Sequence, residues 1–224
     1  AAVSHDLRTP LTTIKALAEE IRRDGDERAA TIEEEADRLN RFVADLLDLS
    51  RLTGGALRVA PEINAVDDLL GAALQRVAGV LGPREVRVRM PRGEPLLVGR
   101  FDFVHTLRIL ANLIENAAKY APPEAPVDVE VRRDDAMLEL VVADRGRGVP
   151  ASDRERIFDA FYQPAGGAPD VGGVGLGLSI ARRLAEAQQG ELRHEPRAGG
   201  GSRFVLRLPA VDITETVAAS PGSS

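Results

Sequence analysis

Apolar residues recur at helical spacing near the start of the chain. Leu7, Leu11, Ile14, Ala18 and Ile21 follow intervals of 4, 3, 4 and 3, the seam of a heptad repeat. Asp24-Gly25-Asp26 interrupts it. A second stripe runs through Ile32, Leu39, Phe42, Leu46 and Leu49, widened by Val43 and Leu47, and Gly54-Gly55 ends it. The pattern predicts two antiparallel helices over residues 1–53, followed by a linker at 54–61. A hairpin this small cannot bury two apolar stripes alone, because small folded units remove too little surface from water. Two copies paired about a two-fold axis would close a four-helix bundle. The alternative is that the stripes pack on the rest of the same chain.

From Pro61 onward the pattern changes. Residues 65–81 read as a helix. Val86 to Met90 alternates and stops at Pro91, which marks a strand; Leu96 to Val98 is a short one. A helix carries Asn112 and Asn116. Val127–Val131 and Met137–Val142 read as strands joined by Asp134-Asp135. Residues 179–187 form a helix, and Glu191–Arg193 and Arg203–Leu208 a last hairpin around Gly199-Gly200-Gly201. Helices and strands that do not strictly alternate suggest an α+β domain over residues 62–209, an α/β sandwich with helices on one face of a mixed sheet. The small, polar residues of 210–224 read as a disordered tail.

Bulk properties narrow the function. The chain has 224 residues, enough for one large or two small domains, and 44% of them are apolar. A net charge of -6 and the lack of a strongly basic domain argue against nucleic-acid binding. With no cysteine there is no disulfide framework or thiolate metal site, which is compatible with a reducing compartment. No apolar run of about 18 residues offers a membrane span, and no signal peptide is visible. The chain starts Ala-Ala-Val without Met and reads as a fragment.

Four segments carry candidate chemistry. In Asn112-Leu113-Ile114-Glu115-Asn116-Ala117-Ala118-Lys119-Tyr120, the two carboxamides stand at i and i+4 and share a helix face. Such a pair offers neutral oxygens to a Mg²⁺ that keeps most of its ligands as water and phosphate. Lys119 adds a point charge for phosphate, and Tyr120 can lie along a purine. The plainer alternative is an amphipathic helix with ordinary polar residues. Asp144-Arg145-Gly146-Arg147-Gly148 follows a buried apolar run. A carboxylate there can meet a base edge while glycines let the backbone pass closely. Phe158 and Phe161 stand at helical spacing. Gly172-Gly173-Val174-Gly175-Leu176-Gly177 runs into a helix and offers bare amides at a positive helix N-terminus. A dinucleotide fingerprint would need a strand directly before the glycines, where a polar loop stands instead, and a Walker lysine is absent.

In this order the four segments resemble the N, G1, F and G2 boxes of the sensor histidine kinases of bacterial two-component systems. Ser4-His5-Asp6-Leu7-Arg8-Thr9-Pro10-Leu11 is similar to their phosphoacceptor H box. The resemblance implies a Bergerat ATPase fold, shared with DNA gyrase and a heat-shock chaperone. It implies ATP and Mg²⁺ as cofactors, with Asn116 as principal metal ligand and Asn112 its support. Lys119 would meet phosphate and Tyr120 the adenine side, and Asp144 would accept from the adenine amine. Gly146 and Gly148 would admit the base, and Gly173, Gly175 and Gly177 would close on the phosphates. Residues 162–174 would form a lid anchored by Phe158 and Phe161. Gln163 departs from the family, which often carries Arg there; Arg182 and Arg183 are the candidates to replace it.

His5 would be the nucleophile, since neutral imidazole attacks well near an unperturbed pKa of about 6.5. Asp6 would orient or deprotonate the ring. Thr9 would assist a phosphatase reaction on the partner. A competing reading makes Thr9-Pro10 an N-cap and first helical residue, with His5 in a loop. His105 and His194 read as structural or surface residues. The implied partners are a second copy of the chain and a response-regulator aspartate. The implied location is the cytoplasmic part of a membrane-bound sensor. Two rival functions are a nucleotide-binding scaffold without kinase activity and a serine kinase acting on an anti-sigma partner. The intact Asn116, Asp144 and glycine loop count against the scaffold, and the octapeptide around His5 against the serine kinase.

Overall fold

The computed structural model describes residues 13–18, 21, 28–54, 57–91, 97–164 and 174–212. The chain divides into two compact units, residues 1–57 and 58–224.

The first unit is helical. Residues 13–18 and 21 are helical, and α1 spans Arg28–Thr53. Lys15 meets Asp37 at 2.8 Å and ties the two helical stretches together. Beyond this pair, much apolar surface faces outward. Ile14, Leu17 and Ile21 are exposed, as are Ile32, Leu39 and Leu46, which recur every seven residues. Ala18, expected on one seam with Ile14 and Ile21, is instead buried while they are not. Its methyl fits a close helix approach that their larger side chains would obstruct.

The second unit builds a sheet with helices. Strand β1 is Glu62–Ala65, followed by α2 (Val66–Leu81), β2 (Val86–Arg89), β3 (Val98–Phe101) and α3 (Phe103–Tyr120). Then come β4 (Val127–Asp134), β5 (Met137–Ala143), two 3-10 turns at Ala151–Asp153 and Arg156–Phe158, α4 (Gly177–Glu186), β6 (Glu191–Pro196) and β7 (Ser202–Pro209). The main sheet has the order β2-β4-β5-β7-β6. Its β2–β4 pair is parallel and its other pairs are antiparallel. Strands β1 and β3 form a separate antiparallel pair.

Register explains the layering. Val129 lies opposite Val142, which lies opposite Phe204, and Val131 follows the same route through Leu140 to Leu206. These side chains share one face and are buried together with Leu110, Leu113 and Ile114 of α3 and Ile180 and Leu184 of α4. Full burial of each such side chain contributes about 1.5–3 kcal/mol. The opposite face is charged. There Glu139, 1% exposed, is met by Arg132, Arg193 and Arg207.

The start of α3 is held firmly. Asp102 caps it, accepting from the His105 amide at 3.0 Å, and its second oxygen accepts from Ala60 at 2.9 Å. Burial alone would raise the Asp102 carboxyl, but these amides, the charge of His105 and the Val104 amide outweigh it and leave it below its ordinary value. Buried Gln188, just past α4, accepts from the Asp102 amide and the Thr106 hydroxyl.

Several boundaries differ from expectation. β1 was not foreseen, because Glu62-Ile63-Asn64-Ala65 holds too few apolar residues to alternate. The strand expected at 96–98 begins at Val98 and runs to Phe101, and residue 96 lies outside the described residues. Ala210 and Val211, expected in the tail, pair instead with β3: Ala210 bridges Gly99, and the Val211 amide donates to Val98 O at 3.0 Å. Residues 213–224 lie outside the described residues.

Candidate functional site

Three elements of the second unit meet at the C-terminal half of α3. Asn112 and Asn116 point together, as their spacing requires, and Asn116 Nδ2 donates to Asn112 Oδ1 at 2.8 Å. That bond turns Asn116 Oδ1 away from Asn112 Oδ1, and among the described residues no donor is seen on it. A neutral oxygen with an open coordination side is the donor a Mg²⁺–phosphate complex uses. Among the described residues no group of three His, Cys, Asp or Glu could hold a metal ion. One turn on, the Lys119 ammonium lies 5.3 Å from the Tyr120 ring centre.

Asp144 ends β5 and is 3% exposed. Its Oδ1 accepts from the Gly146 amide at 2.7 Å and the Ser202 amide at 3.3 Å. Among the described residues both bonds thus fall on one oxygen, Oδ1. Burial pushes the carboxyl above its ordinary value, while the Gly146 and Ser202 amides and the charge of Arg197 pull it back.

The floor around Asp144 is backbone. A Cβ on Gly146 would overlap the Tyr120 carbonyl oxygen. Gly201, at φ +101, lies so close to the Asp144 carbonyl that any side chain would collide there. Gly148 packs on the same hairpin tip, 3.1 Å from Gly201 O to the position a Cβ would take. Sequence reading did not assign Gly201 or Ser202 to the site. They come from the β6–β7 hairpin, 57 and 58 residues beyond Asp144, and the signal that could have found them was the glycine triplet at 199–201.

The glycine segment meets α3 directly. A Cβ on Gly177, the first residue of α4, would overlap Asn112 Nδ2. Gly175, at φ +76, accepts the Phe161 amide at 3.0 Å through its carbonyl. The two phenylalanines part ways. Phe158 is buried, edge-on to Phe204 at 6.5 Å, whereas Phe161 is 53% exposed with φ +66. Phe158 therefore anchors this segment through its ring and Phe161 only through its backbone. The 3-10 turn and the left-handed residue remove the helical period that would have aligned both rings. Arg182 is engaged, stacking on Phe158 at 4.9 Å and pairing with Glu155 at 3.2 Å; Arg183 is exposed on α4.

The candidate residues His5, Asp6, Thr9 and Gly173 lie outside the described residues, as do 165–172 of the expected lid. Of the other histidines, His105 sits on the first turn of α3, 4.0 Å from Asp102. His194 is enclosed against Phe204, with both ring nitrogens unpartnered, and burial, then Arg154, holds it below its ordinary value.

Comparisons with known proteins cover both units of the chain. The family model described as histidine kinase-, DNA gyrase B- and HSP90-like ATPase matches residues 102–212. That of the His Kinase A (phospho-acceptor) domain matches residues 1–55. The chain is 36% identical over 226 residues to the sensor protein KdpD of Mycobacterium tuberculosis, covering 94% of this chain and 25% of that protein. It is 35% identical over 220 residues to the sensor-like histidine kinase SenX3 of the same organism, covering 94% of this chain and 53% of SenX3. It thus spans about a quarter to a half of the curated relatives it matches. Among solved structures, full-length ShkA in complex with AMPPNP superposes with a TM-score of 0.77 at 26% identity, covering 94% of this chain and 45% of that one. The mycobacterial sensor histidine kinase MprB gives 0.59 at 27% identity, covering 67% of this chain and 98% of that one.

Proposed function

The chain belongs to the two-component sensor histidine kinases, and from that premise we propose that it binds ATP with Mg²⁺, phosphorylates itself on His5 and passes the phosphoryl group to an aspartate of a response regulator. The observation that supports it most is Asp144, a nearly buried carboxylate with one oxygen held by amides and the other open above a backbone floor. An adenine amine fits that oxygen. With the base there, the phosphates run toward Asn116 and the start of α4. Bound Mg²⁺ would neutralise developing phosphate charge. Asn116 would hold it through Oδ1, and Asn112 would fix that amide's orientation. Lys119 adds charge beside the phosphates. A nitrogen of neutral His5 attacks the γ-phosphorus, the bond to the β-phosphate oxygen breaks, and ADP leaves. Asp6 takes the ring proton. The aspartate of the regulator then attacks the phosphohistidine and restores His5. Thr9 is assigned the reverse duty, holding a water in line with the aspartyl phosphate.

Incubating the chain with γ-labelled ATP and Mg²⁺ tests this reading. Label on the protein should be lost in acid and kept in base. Acid-stable, base-labile label would place the phosphate on a hydroxyl and overturn it.

The exposed heptad of Ile32, Leu39 and Leu46 supports a homodimer through a four-helix bundle. Leu46→Glu would bury a charge without a partner, at a cost of about 3–5 kcal/mol. Sedimentation velocity should then show monomers where the parent chain gives dimers. An unchanged dimer would move the interface elsewhere. Among the described residues no helix is long and apolar enough to cross a membrane. Membrane attachment of a longer protein is part of the proposal.

A further inference from the structure

Arg84 lies outside every segment that singles out the site, in the turn between α2 and β2. Its guanidinium nonetheless makes four hydrogen bonds to the end of α3 and the segment just after it. Nη1 donates to Pro122 O at 2.7 Å and Ala125 O at 2.9 Å, and Nη2 donates to Ala118 O at 2.9 Å and Ala121 O at 3.4 Å. Two features make these bonds consequential. The last carbonyls of a helix have no partner within it. The segment that follows, Ala121-Pro122-Pro123-Glu124-Ala125-Pro126, holds three prolines and is poor in amide donors of its own. Within it the Ala125 amide donates to Pro122 O at 3.0 Å; the other carbonyls need a donor from elsewhere, and a planar fork with several N–H groups is suited to reach several at once.

The same turn forms the wall of the base pocket. The Tyr120 carbonyl abuts Gly146, whose amide holds Asp144 Oδ1 at 2.7 Å. The far end of the segment is tied to the same strand end. Arg145 donates to Pro126 O at 2.9 Å and pairs with buried Asp128 at 2.8 Å. Movement of the 118–125 main chain would therefore displace Gly146 and turn Asp144. We propose that Arg84 is a positioning residue for base recognition: by pinning the end of α3 it keeps Gly146 against Tyr120, and Asp144 Oδ2 aimed at the exocyclic amine of the nucleotide. This deepens the proposed function and rests on the adenine reading of Asp144.

The test compares Mg²⁺–ATP with Mg²⁺–purine riboside triphosphate, which lacks the amine, by titration calorimetry on the full chain. One hydrogen bond to a charged, buried group should give the parent chain a preference for ATP of about tenfold or more. Arg84→Lys keeps the charge and loses the fork. ATP affinity should then fall about tenfold while the analogue changes less than about twofold, so the preference collapses. Arg84→Gln, measured at low temperature with its melting curve, should behave alike. Equal losses for both nucleotides, an unchanged preference, or two variants too unfolded to bind either nucleotide would overturn the proposal. Asp144→Asn separates the two levels. If it keeps the parent preference, the base does not sit on Asp144 and both readings fall. If it loses the preference and the Arg84 variants keep it, only the role of Arg84 fails.

Discussion

His5→Gln should abolish incorporation of label from γ-labelled ATP and leave Mg²⁺–ATP binding unchanged. The carboxamide copies the size and polarity of imidazole but not its chemistry. Its nitrogen lone pair is delocalised into the carbonyl and cannot displace ADP from phosphorus. The remaining histidines offer no substitute. His194 is enclosed beside Phe204 with neither ring nitrogen reaching a partner. His105 is committed to the first turn of α3, at the opposite end of that helix from Lys119 and Tyr120. The residues proposed to bind nucleotide all belong to the second unit, so calorimetry should give the parent value. Acid-labile label persisting in the variant would move the phosphoacceptor and sink the assignment of His5.

Gly177→Ala should weaken Mg²⁺–ATP binding while leaving the fold at least as stable. These effects usually travel together, and their separation is the diagnostic. Alanine in the first turn of α4 is the better helix former by about 0.5–1 kcal/mol, and the backbone of Gly177 does not need a positive φ. The added methyl would, however, overlap Asn112 Nδ2. A side-chain end can swing away, so the clash is relieved by rotating Asn112. That breaks its 2.8 Å bond with Asn116 and frees the Asn116 amide, the proposed metal ligand, to turn. Loss of one such charge-linked interaction costs about 1.5–3 kcal/mol, or about tenfold to a hundredfold in affinity. Calorimetry paired with a melting curve reads both quantities. Parent affinity with an unaltered melting point would show that Asn112 does not support Asn116.

Much of this was written in local pattern. The helix at Phe103–Tyr120 is long, strongly amphipathic and capped by Asp102, and the start of β4 alternates while β5 is mostly an apolar run, the two strands flanking an Asp-Asp pair. The placement of Asn112 with Asn116 followed from i, i+4 geometry alone. What escaped reading has a common cause. β1 holds its place by pairing with β3 rather than by its own alternation. Ala210 and Val211 are small residues whose order comes from backbone bonds to β3. Phe161 leaves the helical period because the chain turns left-handed at that residue. Gly201, Ser202 and Arg84 reach the site only through long-range packing, which no local pattern records.

The proposed base site at Asp144 stands on peptide groups: the Tyr120 carbonyl against Gly146, the Gly146 and Ser202 amides on Asp144 Oδ1, and the Asp144 carbonyl against Gly201. An inhibitor that engages these groups would depend on atoms that every amino acid possesses. Substituting most neighbouring side chains would then leave its contacts in place. Escape would have to come through the glycines or through Asp144 itself, and a variant there surrenders folding or its own nucleotide along with the drug. Resistance at this pocket is thus coupled to loss of fitness by the geometry of the main chain.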